Sequence, residues 1–281
     1  MFNAATKTAI SLLALGALAA CGDANGVKEA SRLVDEATQA LETRNYTLAL
    51  SLADSVRTAY PRAIDQRREA IHIASVANEG LNLRRLESAD SLMAVLAARA
   101  ETLKPTVKFV SNPIEGYYIA AGATPDAVHN STGIQARLSP KGDFYIISTL
   151  KGRNVKSTSV SVTDGTTSAS TSTVAHDGER NDRSGGAEII TFIAAECDTV
   201  GRYVLDHRNA PLTLTFSGEG GSQYSVKLPE KTVSQTADVY DYALTMRKAR
   251  VAAIEKERLT RALEISRSQA ARTFVEKDSV K

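Results

Sequence analysis

The chain has 281 residues, of which 23% are charged and 43% hydrophobic, with a formal net charge of +2. Such a length can build one large core or two modest ones, and the composition is that of an ordinary globular protein. The nearly balanced charge argues against a dedicated nucleic-acid binder, which normally shows a concentrated basic face.

The chain begins with one short positive stretch at Lys7 and an apolar run over residues 9–20 that ends in small side chains. This is the layout of a secretory signal peptide, since a membrane span needs about 18 or more apolar residues. The run closes on Leu18-Ala19-Ala20-Cys21, which resembles the lipobox of bacterial lipoproteins. The resemblance implies cleavage after Ala20, a diacylglycerol on the Cys21 thiol and acylation of the new amino group. The alternative is an ordinary signal peptide with a cysteine nearby. With Cys21 acylated, Cys197 has no partner in the chain, so neither an internal disulfide nor a cysteine-built zinc site is expected. Residues 21–26 read as a short lipidated tether. In diderm bacteria an aspartate directly after the lipidated cysteine resembles an inner-membrane retention signal. Gly22 stands there instead, which favours the outer membrane facing the periplasm over the inner membrane or the cell surface.

Residues 27–105 carry helical periodicity. Val27, Ala30, Val34, Ala37 and Leu41 recur at three- and four-residue steps, and Leu48, Leu52, Val56 and Ala59 repeat the pattern after a break. Tyr60-Pro61 ends the second helix, because the residue before proline is pushed out of the α region. Two more helices are expected over residues 62–78 and 84–103, separated at Gly80. Tyr46, Ala49-Leu50 and Tyr60-Pro61 resemble the tetratricopeptide repeat. Ala53-Asp54-Ser55 also recurs as Ala89-Asp90-Ser91, a spacing of about 36 residues, near the 34 of that repeat. The resemblance implies antiparallel hairpins that present a surface to a partner; a plain helical bundle is the alternative.

Over residues 106–229 the period changes to two. Strands are predicted at residues 107–110, 117–121, 133–138, 144–150, 155–163, 166–174, 188–194, 212–216 and 223–228, with a short helix over 198–207. Asp164-Gly165 marks a two-residue hairpin turn. Short strands at this spacing predict an antiparallel sandwich or barrel. Residues 230–281 read as one long helix and a polar tail, with Val239, Tyr242, Met246, Ala249 and Ala253 on one stripe. The expected fold is therefore α+β: tetratricopeptide-like N-terminal hairpins, a central antiparallel β-sandwich-like domain, and a C-terminal helix returning to the helical part.

Several groups invite chemistry. In the loop of residues 176–186, Asp177, Glu179, Asn181 and Asp182 are oxygen donors of the kind calcium takes, but Arg180 and Arg183 oppose a cation and a solvated hairpin loop is expected. Cys197 and His207, with Asp198 or Asp206, are the one nucleophile-base combination, although a buried thiol is the commoner fate of such a cysteine. Tyr117, Tyr118, Phe144, Tyr145, Tyr203 and Tyr224 either line a sugar-binding platform or belong to the sheet core. Arg247, Lys248, Arg250, Lys256, Arg258 and Arg261 make the last helix basic, with Glu255, Glu257 and Glu264 interleaved as on a salt-bridged face. Asp54-Ser55-Val56, Asp90-Ser91-Leu92, Asp198-Thr199-Val200 and Asp278-Ser279-Val280 resemble the acceptor pattern of periplasmic O-glycosylation, Ser279 in the polar tail being the most accessible.

The expected function is that of a lipid-anchored envelope protein, a non-catalytic adaptor that touches the bilayer through acylated Cys21 and docks an envelope partner. A glycan or small-ligand binding module is the alternative, and an enzyme a third. No cofactor, metal or nucleic acid is implied.

Overall fold

The computed structural model describes residues 23–274. The apolar leader, Cys21 and Ser279 lie outside the described residues. The architecture is α+β, with helices first, antiparallel sheets in the middle and a long C-terminal helix that packs on the helical part. Contacts divide the described residues into two compact units, residues 23–86 with 258–274 and residues 87–257.

In the first unit, α1 (Asp23–Glu42) and α2 (Tyr46–Ala59) form an antiparallel hairpin. Ala30, Val34, Ala37 and Ala40 of α1 are buried with Ala49, Ala53 and Val56 of α2, a small-residue stripe that lets the helices approach closely. Asn45 caps α2, its side-chain oxygen accepting the Leu48 N–H at 3.3 Å. α1 starts at Asp23, inside the stretch read as a tether.

The expected interruption at Gly80 does not occur: α3 (Ile64–Leu103) runs through it as one helix of 40 residues. Gly80 sits under the Tyr46 ring, and a Cβ there would stand 2.3 Å from Tyr46 Cζ. The glycine thus serves close packing rather than termination. A glycine there costs a helix roughly 1 kcal/mol relative to alanine, but alanine would collide with the ring. Arg84, one turn on, lies 4.8 Å from the centroid of the same ring. Only the first of the two expected hairpins therefore forms, because the second repeat-like segment belongs to α3. The C-terminal helix α6 (Glu230–Thr273) runs for 44 residues, and its last third joins this unit. Asn82 Nδ2 donates to Ser266 Oγ at 3.3 Å, Arg267 pairs with Glu79 at 3.0 Å, and Leu259, Leu263 and Ala270 are buried.

The second unit contains ten strands. β1 (Val107–Val110), β2 (Tyr117–Ala120), β3 (Gly133–Leu138), β4 (Phe144–Lys151), β8 (Ala187–Ile193) and β7 (Asn181–Ser184) form one sheet in the order β1-β2-β3-β4-β8-β7. The second sheet has the order β10-β9-β5-β6, from β10 (Gln223–Lys227), β9 (Thr213–Gly218), β5 (Ser157–Thr163) and β6 (Ser168–Ser170). Every pairing is antiparallel.

Register explains the core. Leu138, Phe144, Ala136, Ile146 and Phe192 are direct cross-strand neighbours and so share one face of the larger sheet. They enter one cluster with Val160, Val162, Leu214 and Phe216 of the smaller sheet. The same cluster takes Val200 and Val204 from α5 (Asp198–Asp206) and Val233, Ala237, Tyr240 and Ala243 from α6. The first part of the C-terminal helix is thus core to this unit, its Tyr240 ring meeting Phe144 edge-on at 4.9 Å.

Two local expectations change. The turn at Asp164-Gly165 spans four residues, since Thr163 pairs with Ser168, and Asp164 Oδ1 accepts the N–H groups of Thr166 and Thr167 at 2.8 Å each. The segment read as a solvated loop over residues 176–186 contains strand β7, which closes on β8 through Gly185 and Gly186, both at positive φ (59° and 74°).

Candidate functional site

The two sheets are joined at one end by a buried polar knot. Glu188 on β8 is 4% exposed, and its carboxylate accepts the Lys156 N–H and Ser157 N–H at 2.7 Å each and the Ser157 hydroxyl at 2.6 Å. Asn181 on β7, register partner of Ile190, donates from Nδ2 to the carbonyls of Ser157 (3.0 Å) and Val174 (2.8 Å). Burial alone pushes the Glu188 carboxyl up, and these hydrogen bonds overcome it, leaving it below the ordinary glutamate value. Lys156 enters β5 from a left-handed backbone (φ 53°), and the Glu188 bond to its N–H holds it there.

Beside this knot opens a cleft of about 550 Å³ lined by Gly152, Arg153, Asn154, Lys156, Arg183, Gly186, Ala187 and Glu188. Its floor is fixed by the Gly152 N–H to Gly186 carbonyl bond at 2.9 Å. Arg153 lies over the Tyr224 ring at 5.1 Å. Among the described residues no acidic side chain stands within ion-pair distance of Arg153, Lys156 or Arg183. The single carboxylate in the lining, Glu188, is already occupied by three donors. Nε and Nη2 of Arg183 are shut off from solvent without a hydrogen-bond acceptor. A second cavity, about 340 Å³, opens where β2 and β3 diverge after their one pairing at Tyr118 and Leu138. It is lined mainly by small side chains and backbone, with Lys227 and Lys231 its charged residues.

The groups singled out in the sequence are dispersed. Cys197 is fully buried and donates its thiol to the Phe192 carbonyl at 3.2 Å; burial pushes its pKa up to about 12, so the nucleophilic thiolate is suppressed. His207 does not pair with it. The imidazole stacks on Tyr203 at 4.0 Å, with Nδ1 2.9 Å from the Tyr203 carbonyl and Nε2 3.7 Å from Asp164 Oδ2. Tyr203 in turn accepts the Asp164 N–H and donates to the Thr167 carbonyl, so this constellation clamps the four-residue turn. Asp198 faces Arg247 at 2.6 Å instead.

In the 176–186 segment the oxygens do not converge. Asp177 Oδ1 accepts the N–H groups of Glu179, Arg180 and Asn181, Asp182 accepts the Ser184 hydroxyl, and Arg180 pairs with Glu196 at 2.9 Å. Among the described residues no group of three or more acidic, histidine or cysteine side chains is placed to hold a metal ion.

The aromatics also scatter. Tyr117 stacks under Arg137 at 4.3 Å, Tyr118 lies between Phe109 and Tyr242, and Phe144 is in the core. On α6, Arg247 and Lys256 are ion-paired with Asp198 and Asp90. Ser55 and Ser91 are exposed on helices, their hydroxyls bonded to the carbonyls of Ser51 and Glu87. Thr199 donates to the Ser170 carbonyl at 2.8 Å.

The cationic cleft escaped sequence reading because its members come from separate stretches that only the β7–β8 register and the β5 entry bring together. Its one visible signal was Arg183 in a segment too basic for calcium. No helix among the described residues is long and apolar enough to cross a membrane. Comparison of the chain with protein-family models, with curated proteins and with solved structures finds no match.

Proposed function

We propose that the chain is a lipid-anchored protein of a bacterial envelope that works by binding rather than by catalysis, docking another envelope protein while acylated Cys21 holds it to the bilayer. The observation that carries this proposal is Leu18-Ala19-Ala20-Cys21 at the end of a signal-like apolar run. Two or three acyl chains, at about 0.8 kcal/mol per buried methylene, hold a protein stably where one chain is marginal. The adaptor role is supported by the small-residue helical hairpin and by the separation of Cys197 from His207. A small-ligand reading has its own support in the cleft of Arg153, Lys156 and Arg183.

Crosslinking in intact cells followed by purification tests the adaptor role. It is expected to return a discrete covalent complex with a second envelope polypeptide. Recovery of the chain alone at native abundance contradicts it.

A further inference from the structure

We infer that the cleft beside Glu188 is a binding site for a phosphate-type oxyanion, held by Arg183, Arg153 and Lys156. The inference does not depend on the lipid anchor; it rests on four observations that agree.

First, three cationic residues line one concavity, and among the described residues no carboxylate lies within ion-pair distance of them. Three cations against one carboxylate leave the lining with a net positive charge, which a bound anion offsets. Second, the lone acid in the lining, Glu188, keeps its charge but has its oxygens engaged by the Lys156 and Ser157 N–H groups and the Ser157 hydroxyl, so it offsets one of the three cations without ion-pairing to any of them. Third, Nε and Nη2 of Arg183 have neither acceptor nor solvent. These two donors form the side-on edge of a guanidinium, the edge that grips two oxygens of a phosphate or carboxylate at once. Buried unbonded donors are unfavourable, so turning this edge into the cleft onto an oxyanion is doubly favoured. Fourth, the backbone under the site is fixed by the Gly152 to Gly186 bond and by the Glu188 contacts, so little ordering is left to oppose binding. Arg153 and Lys156, both exposed, add positive charge to the same lining.

The tetrahedral phosphate group suits a three-cation site better than a single carboxylate, because it offers oxygens in more than one direction. That group is common to a soluble phosphate ester and to an anionic phospholipid headgroup.

The test uses the full chain reconstituted in phosphatidylcholine vesicles and labelled with an amine-reactive ester, with modification of Lys156 read by mass spectrometry. Phenyl phosphate is expected to protect Lys156 while leaving exposed Lys227 unchanged. If the source is a headgroup, admixture of phosphatidylglycerol gives that protection without phenyl phosphate. Arg183→Gln is expected to weaken protection about tenfold or more, the effect of losing hydrogen bonds between charged groups. Arg153→Gln alters an exposed residue and tests the site without risk to folding; it is expected to weaken protection in the same direction, as is raised salt. Equal Lys156 labelling under all conditions, or protection unchanged in both variants, overturns the inference.

Discussion

Glu188→Ala is expected to destabilise the β-containing unit by about 3 kcal/mol, read as a lower urea midpoint at unchanged slope. The change leaves the N–H groups of Lys156 and Ser157 and the Ser157 hydroxyl without an acceptor in a place water does not reach readily. A buried donor left unbonded costs about 1–3 kcal/mol, and relaxation recovers part of the sum. Glu188→Gln keeps the shape but turns an NH₂ group against donors, so an intermediate loss is expected.

The carboxylate also gives the effect a pH signature. Hydrogen bonding holds the folded Glu188 value below the ordinary one, so its contribution is complete above the unfolded value of about 4.3 and fades as pH falls through the lower folded value. Wild type should therefore lose stability below about pH 4 more steeply than Glu188→Ala. Asp164 (about 2), Asp177 and Glu196 are depressed in the same direction, so the variant keeps a shallower acid limb. Equal midpoints at neutral pH and parallel acid limbs would show that Glu188 does not join the two sheets.

The second large effect belongs to Gly201→Val. Gly201 lies in α5, and a Cβ there would stand 2.3 Å from Tyr240 Cδ2 and 2.8 Å from Phe144 Cε1. Both rings are fully buried and packed edge-to-face, so neither can swing out to make room. Replacing a helical glycine ordinarily gains up to about 1 kcal/mol. Overpacking a closed core costs about 1–3 kcal/mol or more, and with two rings below contact distance the upper end of that range applies. Thermal unfolding is expected to shift down in Gly201→Val and less in Gly201→Ala. A variant as stable as wild type would mean that α6 does not press Tyr240 onto α5.

How far these features could be read from the sequence depended on whether they were local. Alternation located nine of the ten strands, since strands such as residues 213–218 bury alternate side chains, Leu214 and Phe216, against a core. β7 escaped because Asn181-Asp182-Arg183-Ser184 has no apolar alternation; its strand is made by pairing with β8 and by Asn181 reaching across to the smaller sheet. Gly80 misled for a related reason. Local propensity marks glycine as a helix end, whereas here the missing side chain is a seat for Tyr46, a residue 34 positions earlier whose place only tertiary packing sets. The Asp164 turn was located but mis-sized, because the side-chain bonds of Asp164 and the Tyr203 clamp hold two more residues out of the ladder. The reactive pairing of Cys197 with His207 was compatible with their spacing, and burial of the thiol and stacking of the imidazole separate them. The cleft cations were individually unremarkable, and only strand register brings them to one concavity.

The proposal of membrane-bound action is tested most directly by mass spectrometry of the N-terminal peptide of the chain extracted from membranes. The expected result is a mature terminus at Cys21 carrying a diacylglyceryl thioether and an acylated amino group. An intact precursor beginning at Met1, or a cleaved terminus bearing no acyl group, would contradict it.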